Sequence, residues 1–296
     1  MQNSPFTHQD GLLLSTILAW TEAPGPLLST CKGLYALKDD TYTQALWLVR
    51  QHPKSALYRA SEKGHAEVVQ LLLQVPEAAA GINAQDGYRR TALHCASEKG
   101  HAEVVQMLLQ VPEAAAGINA QDRYRRTALH CASEKGHAEV VQLLLQVPGS
   151  AAGINAKDGY DRTALHCASE MGHLEVVQML LQVPGSAAGI NAQDRYRRTA
   201  LHCASEKRHA EVVQLLLQVP GSAAGINAQD GYRRTALHCA SEKGHAEVVQ
   251  LLLQVPGSAA GINVQDGYDR TALQSASEKG HSEVVQMLLQ VPGISI

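Results

Sequence analysis

Residues 91–117 read TALHCASEKGHAEVVQMLLQVPEAAAG, and nearly the same letters return at Thr127, Thr163, Thr199, Thr235 and Thr271, with a worn copy at Ser55. The interval is 36 residues. A period of this size marks a stack of small units, none able to bury its apolar face alone. Such a stack lengthens without a central core. The 296 residues therefore predict an elongated solenoid with a long recognition surface, which points to binding and not to chemistry in a cleft.

Within the unit, Thr91 is a good helix N-cap, and Gly100 supplies the residue that tolerates a left-handed helix end. Between them, Leu93 and Ala96 share one face. A second helix is expected from about Ala102 to Gln110, where Val104, Val105, Leu108 and Leu109 make a 3,4-spaced apolar stripe. Val111-Pro112 ends it, because the residue before proline disfavours the helical region. One more helical turn is expected over 113–117, followed by a polar connection over 118–126.

The unit closely resembles the ankyrin repeat. The matching residues are Thr91-Ala92-Leu93-His94-x-Ala96, Gly100-His101-x-Glu103-Val104-Val105, Leu108-Leu109 and Asn119-Ala120-Gln121-Asp122, and seven units run over 55–292. The resemblance implies an all-α solenoid of stacked antiparallel helix pairs with projecting β-turn fingers. It also implies partner binding along a concave inner side, and a structural role for the His of Thr-x-x-His in tying helix start to finger. The unit is longer than the family's usual length of about 33 residues. The finger also departs from the family pattern. Where the family usually has Gly three residues after the Asp, this chain has Arg89, Arg125, Asp161, Arg197, Arg233 or Asp269. A finger geometry different from the family's is expected on that ground.

The copies differ mainly at the finger tips and in the following loop. Two rows are expected to line up along the stack: Tyr88, Tyr124, Tyr160, Tyr196, Tyr232 and Tyr268, and beside them Arg90, Arg126, Arg162, Arg198, Arg234 and Arg270. Tyr and Arg offer large rigid area plus directional donors, the chemistry of interface hot spots. One reading is a ladder that grips an extended, acidic protein segment, flanked by Glu98 and Lys99 and their repeats. The other is a set of solvated turn residues, or Tyr–Arg stacks that brace the fingers. Seven similar surfaces favour a repetitive partner through effective concentration.

Other chemistry finds little support. His94, Cys95 and His101 lack metal-ligand spacing within a unit. No phosphate loop or nucleophile elbow occurs, so neither cofactor nor catalytic residue is expected. A net charge of -3 gives no overall case for nucleic acid. Of the six cysteines, five (Cys95, Cys131, Cys167, Cys203, Cys239) recur at one position. Stacked helices lie about 8–10 Å apart, too far for a disulfide between such positions, so buried reduced thiols are expected. The apolar run 11–20 is too short to span a bilayer and no Lys or Arg precedes it. No membrane association is expected, and the expected location is cytosolic or nuclear.

Residues 1–54 do not repeat and predict a short helical module, with 293–296 as a tail. The order of Leu13, Leu14, Ile17, Leu18, Leu27, Leu28, Cys31, Lys32, Leu34 and Trp47 resembles an F-box, with Leu13, Leu14, Ile17, Leu18, Leu28 and Trp47 as the expected docking residues. That family docks on the adaptor of cullin-type ubiquitin ligases. The resemblance implies a substrate receptor tethered through 11–48. The alternative is a helical cap over the first unit.

Two units depart from the pattern. Gln274 and Ser275 stand where His and Cys recur, and are expected to form a partial cap on the terminal unit. Arg208 stands where Gly100 stands elsewhere. If the backbone there is left-handed, a β-carbon costs on the order of 1 kcal/mol. Arg208→Gly is therefore expected to raise the melting temperature, and an unchanged or lower melt would refute that geometry.

Overall fold

A computed structural model of the chain describes residues 55–74 and 79–295. Among these, α-helices pair in sequence and no strand occurs. In the second unit the pair is Ala92–Lys99 and Ala102–Leu109. Each first helix packs on the first helices of the neighbouring units, and each second helix on second helices. The result is two parallel layers, with apolar residues between and along them. No helix among the described residues is long and apolar enough to cross a membrane. The F-box-like positions Leu13, Leu14, Ile17, Leu18, Leu28 and Trp47 lie outside the described residues.

The second helix buries Val104, Val105 and Leu108 completely, while Leu109 is half-buried. Leu108 and its equivalents are the largest fully buried side chains, each stabilising the stack by about 1.5–3 kcal/mol through burial. The first helix is buried from Ala92 to Ser97, so only Glu98 and Lys99 reach solvent. Alanine at 92 and 96 keeps neighbouring helices close. Ser97 and its five equivalents bury hydroxyls that have no hydrogen-bond partner among the described residues. Each such group costs about 1–3 kcal/mol.

The extra turn after the second helix depends on local sequence. With Pro-Glu-Ala-Ala-Ala it is an α-helix, Pro112–Ala116. Where Pro-Gly-Ser-Ala-Ala stands, it becomes a 3-10 turn such as Ser150–Gly153, entered through Gly149 at φ 90°. The Ser150 hydroxyl then donates to the Leu145 carbonyl at 3.0 Å.

Two histidines per unit tie neighbours together. His94 Nε2 lies 3.0 Å from the carbonyl of Arg126, in the next finger. A carbonyl only accepts, so Nε2 carries the proton and Nδ1 is an acceptor. Nδ1 takes hydrogen bonds from the Thr91 hydroxyl at 2.9 Å and the Thr91 backbone N–H at 3.2 Å, closing a capping box. The family expectation of a helix-to-finger tie thus holds, the finger being the one that leads into the next unit's first helix. His101 Nε2 points the other way, donating to the Glu62 carbonyl at 3.2 Å. Its ring lies over Gly64, and the His137 ring lies over Gly100 so closely that a β-carbon on Gly100 would meet it at 2.6 Å.

That contact explains the defect at Arg208. The residue is left-handed, with φ 65°, as the sequence implies. The terminal unit splits its two substitutions. Gln274 is exposed, and its Oε1 accepts from the Thr271 N–H at 2.9 Å. Ser275 is buried and donates to the Thr271 carbonyl, so it is no part of an outer cap. The reason is direction. The Cys position faces the preceding unit, and in the first unit its occupant, Arg59, is exposed.

Burial lowers the pKa of His94, His130, His166, His202 and His238, outweighing their carbonyl hydrogen bonds. The unfolded chain then binds protons that the fold refuses. This stability is whole above about pH 6.5 and drains away as pH falls through the lowered folded values. The melting temperature is expected to drop between pH 7 and pH 5. A variant with His130, His166 and His202 replaced by Gln, copying Gln274, should show a shallower drop. An equal slope would remove the histidines as its cause.

Candidate functional site

Each finger is built on one carboxylate. In the second finger, buried Asp122 accepts from the backbone N–H of Tyr124 and of Arg126 through Oδ1, both at 2.8 Å. Its Oδ2 takes Arg126 Nε and Nη2, each at 3.0 Å. The remaining Nη1 of Arg126 reaches toward Glu134 on the first helix, at 3.7 Å. The backbone closes with Arg125 N–H on the Asp122 carbonyl at 2.9 Å and Asp122 N–H on the Arg126 carbonyl at 2.9 Å. Burial would raise the carboxyl pKa at Asp86 and Asp266, but backbone N–H donors and the neighbouring guanidinium hold it below the ordinary value.

This network bends the chain left-handed at Arg89, Arg125, Asp161, Arg197, Arg233 and Asp269, with φ between 58° and 61°. These are the positions where the family's glycine is missing. The finger therefore keeps a glycine-type backbone on non-glycine residues, at about 1–2 kcal/mol each.

Consecutive fingers are bonded to one another. Arg123 N–H donates to the Tyr88 carbonyl at 2.8 Å, and Gly159 N–H to the Tyr124 carbonyl at 2.7 Å. Arg195, Gly231 and Gly267 continue the series to Tyr160, Tyr196 and Tyr232. The tips thus form one fixed row.

The two rows expected from sequence fare differently. The tyrosines are exposed, from 47% at Tyr160 to 70% at Tyr268. The arginines Arg90, Arg126, Arg162, Arg198, Arg234 and Arg270 are pulled back into ion pairs with the finger Asp and the helix Glu. Each also lies over its own finger's tyrosine ring, 5.1–5.6 Å from the centroid. Tyr160 is held from two sides, by Arg162 at 5.5 Å and by Arg195 of the next finger at 5.6 Å. The finger cations that do reach solvent are Arg89, Arg123, Arg125, Arg195, Arg197 and Arg233, on which sequence reasoning placed no binding role. Their signal was available: these are the positions at which finger copies differ.

At the first unit, Tyr88 and Arg90 of the finger join Tyr58 and Lys63 of the first helix around a hollow of about 450 Å³. Finger and helix end therefore share one surface. No group of His, Cys, Asp or Glu among the described residues could hold a metal. Cys95, Cys131, Cys167, Cys203 and Cys239 are free and buried. Burial pushes the Cys95, Cys131, Cys167 and Cys239 thiols up to about 12, which leaves them unreactive at neutral pH.

Asp122→Ala leaves two backbone donors unpaired and takes from a half-buried guanidinium its nearest carboxylate, with Glu134 remaining at 3.7 Å, and is expected to cost about 3–5 kcal/mol. Denaturant unfolding read through hydrogen exchange at residues 119–131 checks this. A cost below about 1 kcal/mol would deny the carboxylate its central place.

The family model for ankyrin repeats (3 copies) matches overlapping stretches at 32–122, 57–158, 112–194, 151–230 and 218–296. No curated protein matches the chain. The stacked helix pairs, the histidine ties and these matches place the chain in the ankyrin-repeat family.

Proposed function

We propose that the chain is a non-enzymatic scaffold that holds a protein partner along its fingers and first-helix ends. Ankyrin repeats are protein–protein interaction units, and seven of them follow one another here. The observation that carries the finer reading is the row of half-exposed tyrosines on hydrogen-bonded fingers. A rigid tyrosine loses little conformational entropy on binding and gives a large contact area. The withdrawn arginines hold the rings in place, each contact contributing about 0.5–1 kcal/mol at an exposed site. They act on a partner through the tyrosines they support.

Replacing Tyr124, Tyr160 and Tyr196 by Ser is expected to reduce partner affinity at least about tenfold, since central aromatic contacts are typical hot spots. The melting temperature should fall somewhat through loss of the arginine contacts, but the chain should stay folded because the exposed rings are no part of the core. Cross-linked capture with wild-type and variant chains, followed by titration of the recovered protein, reads both. Undiminished capture by the variant would move the binding surface away from the fingers.

A further inference from the structure

The finger tips vary in a way that the scaffold does not require. Arg125 and Asp161 hold the same backbone angle, φ 58° and 59°. Arg195 and Gly159 make the same inter-finger hydrogen bond, at 2.8 Å and 2.7 Å. Apart from the contact of Arg195 with the Tyr160 ring, the identity of these residues is therefore free to serve something outside the fold.

Their charges fall into two groups. Arg89, Arg123 and Arg125 crown the first two fingers, and Arg195, Arg197 and Arg233 crown the fourth and fifth. All six are exposed, and none forms an ion pair among the described residues. The third finger, between the groups, carries Asp161. The first helix that follows this finger carries Met171 in place of the usual helix-end lysine, and Met171 is 53% exposed. The extra cation beside the third finger, Lys157, donates to the Gln193 carbonyl at 3.1 Å. An acidic and partly apolar gap thus separates two basic clusters.

We propose that the finger row is a two-point clamp for an extended polypeptide carrying two acidic clusters with an uncharged stretch between them. The proposal rests on the reading of the fingers as the partner surface. The cluster centres lie three units apart, about 24–30 Å at the usual spacing of packed helices. An extended chain covers that distance in about seven to nine residues, at about 3.3 Å each. The separation exceeds the Debye length of about 8 Å at physiological salt, so the two clusters act as separate sites coupled by the length of the ligand. A nucleic-acid strand fits less well. It carries a phosphate at every nucleotide and would lay negative charge on Asp161.

Fluorescence anisotropy on the full chain tests this with labelled peptides holding two short runs of glutamate in a Gly-Ser chain. The centres of the runs are set about five, nine or twenty residues apart, against a peptide with a single run and a single-stranded oligothymidylate. The nine-residue spacing is expected to bind at least about tenfold tighter than the single run or the five-residue spacing. Arg123→Gly with Arg125→Asp rewrites the second finger in the letters of the third, so it is compatible with the fold. That variant should bind the nine-residue peptide no better than the single run. Asp161→Arg should abolish the preference for spacing by bridging the gap. Equal binding at every spacing, or tighter binding of the oligothymidylate, would overturn the clamp. If binding ignores spacing yet disappears in the tyrosine variant, the clamp fails and the finger surface stands. If no peptide binds, the clamp fails, and partner capture by the tyrosine variant separately decides the finger surface.

Discussion

The hydrogen bond from a buried imidazole to the carbonyl of the next finger holds this array together. His94 reaches Arg126, and the same link recurs at His130, His166, His202 and His238. Because Nε2 must donate, Nδ1 must accept, and only a donor such as Thr91 can serve it. One tautomer therefore fixes both the start of a helix and the position of a finger 32 residues away. A stack of repeats has no central core to enforce its pitch, so the pitch is set by such nearest-neighbour bonds.

The same link sets what the fingers can show to a partner. With the carbonyl of Arg126 held by His94 and its side chain held by Asp122 and Glu134, this residue is part of the frame. Display falls to its neighbours, Tyr124 and Arg125. The left-handed backbone that turns Arg125 outward is strained, and the Asp carboxylate offsets that strain. Along five consecutive residues two frame residues bracket three exposed ones, so the tips vary between copies while Asp122 and Arg126 recur.

Local rules made most of the helices legible. Thr91 marks a start through its capping side chain, Gly100 and Pro112 mark ends by backbone preference, and those ends fall where their letters put them. The arginine row was harder to read. Its letters suit an interface, but a guanidinium goes to whatever carboxylate the fold brings near. Asp and Arg four residues apart in every finger were a visible hint; the Glu eight residues further on becomes a neighbour only once the helix has formed. Ser275 looked like a cap because its direction depends on which neighbour covers the Cys position. The buried hydroxyl of Ser97 has no sequence signal, since serine in a helix is ordinarily unremarkable.

Near-identical units imply near-identical joints, and Arg208 marks the exception. At the other joints a histidine ring rests on a bare glycine backbone; between the fifth and sixth units it rests on a residue with a side chain. Loaded along its axis, such an array is a row of equal springs with one soft coil. Mechanical extension would part the chain first beside His245, leaving a longer and a shorter block that each retain whole units.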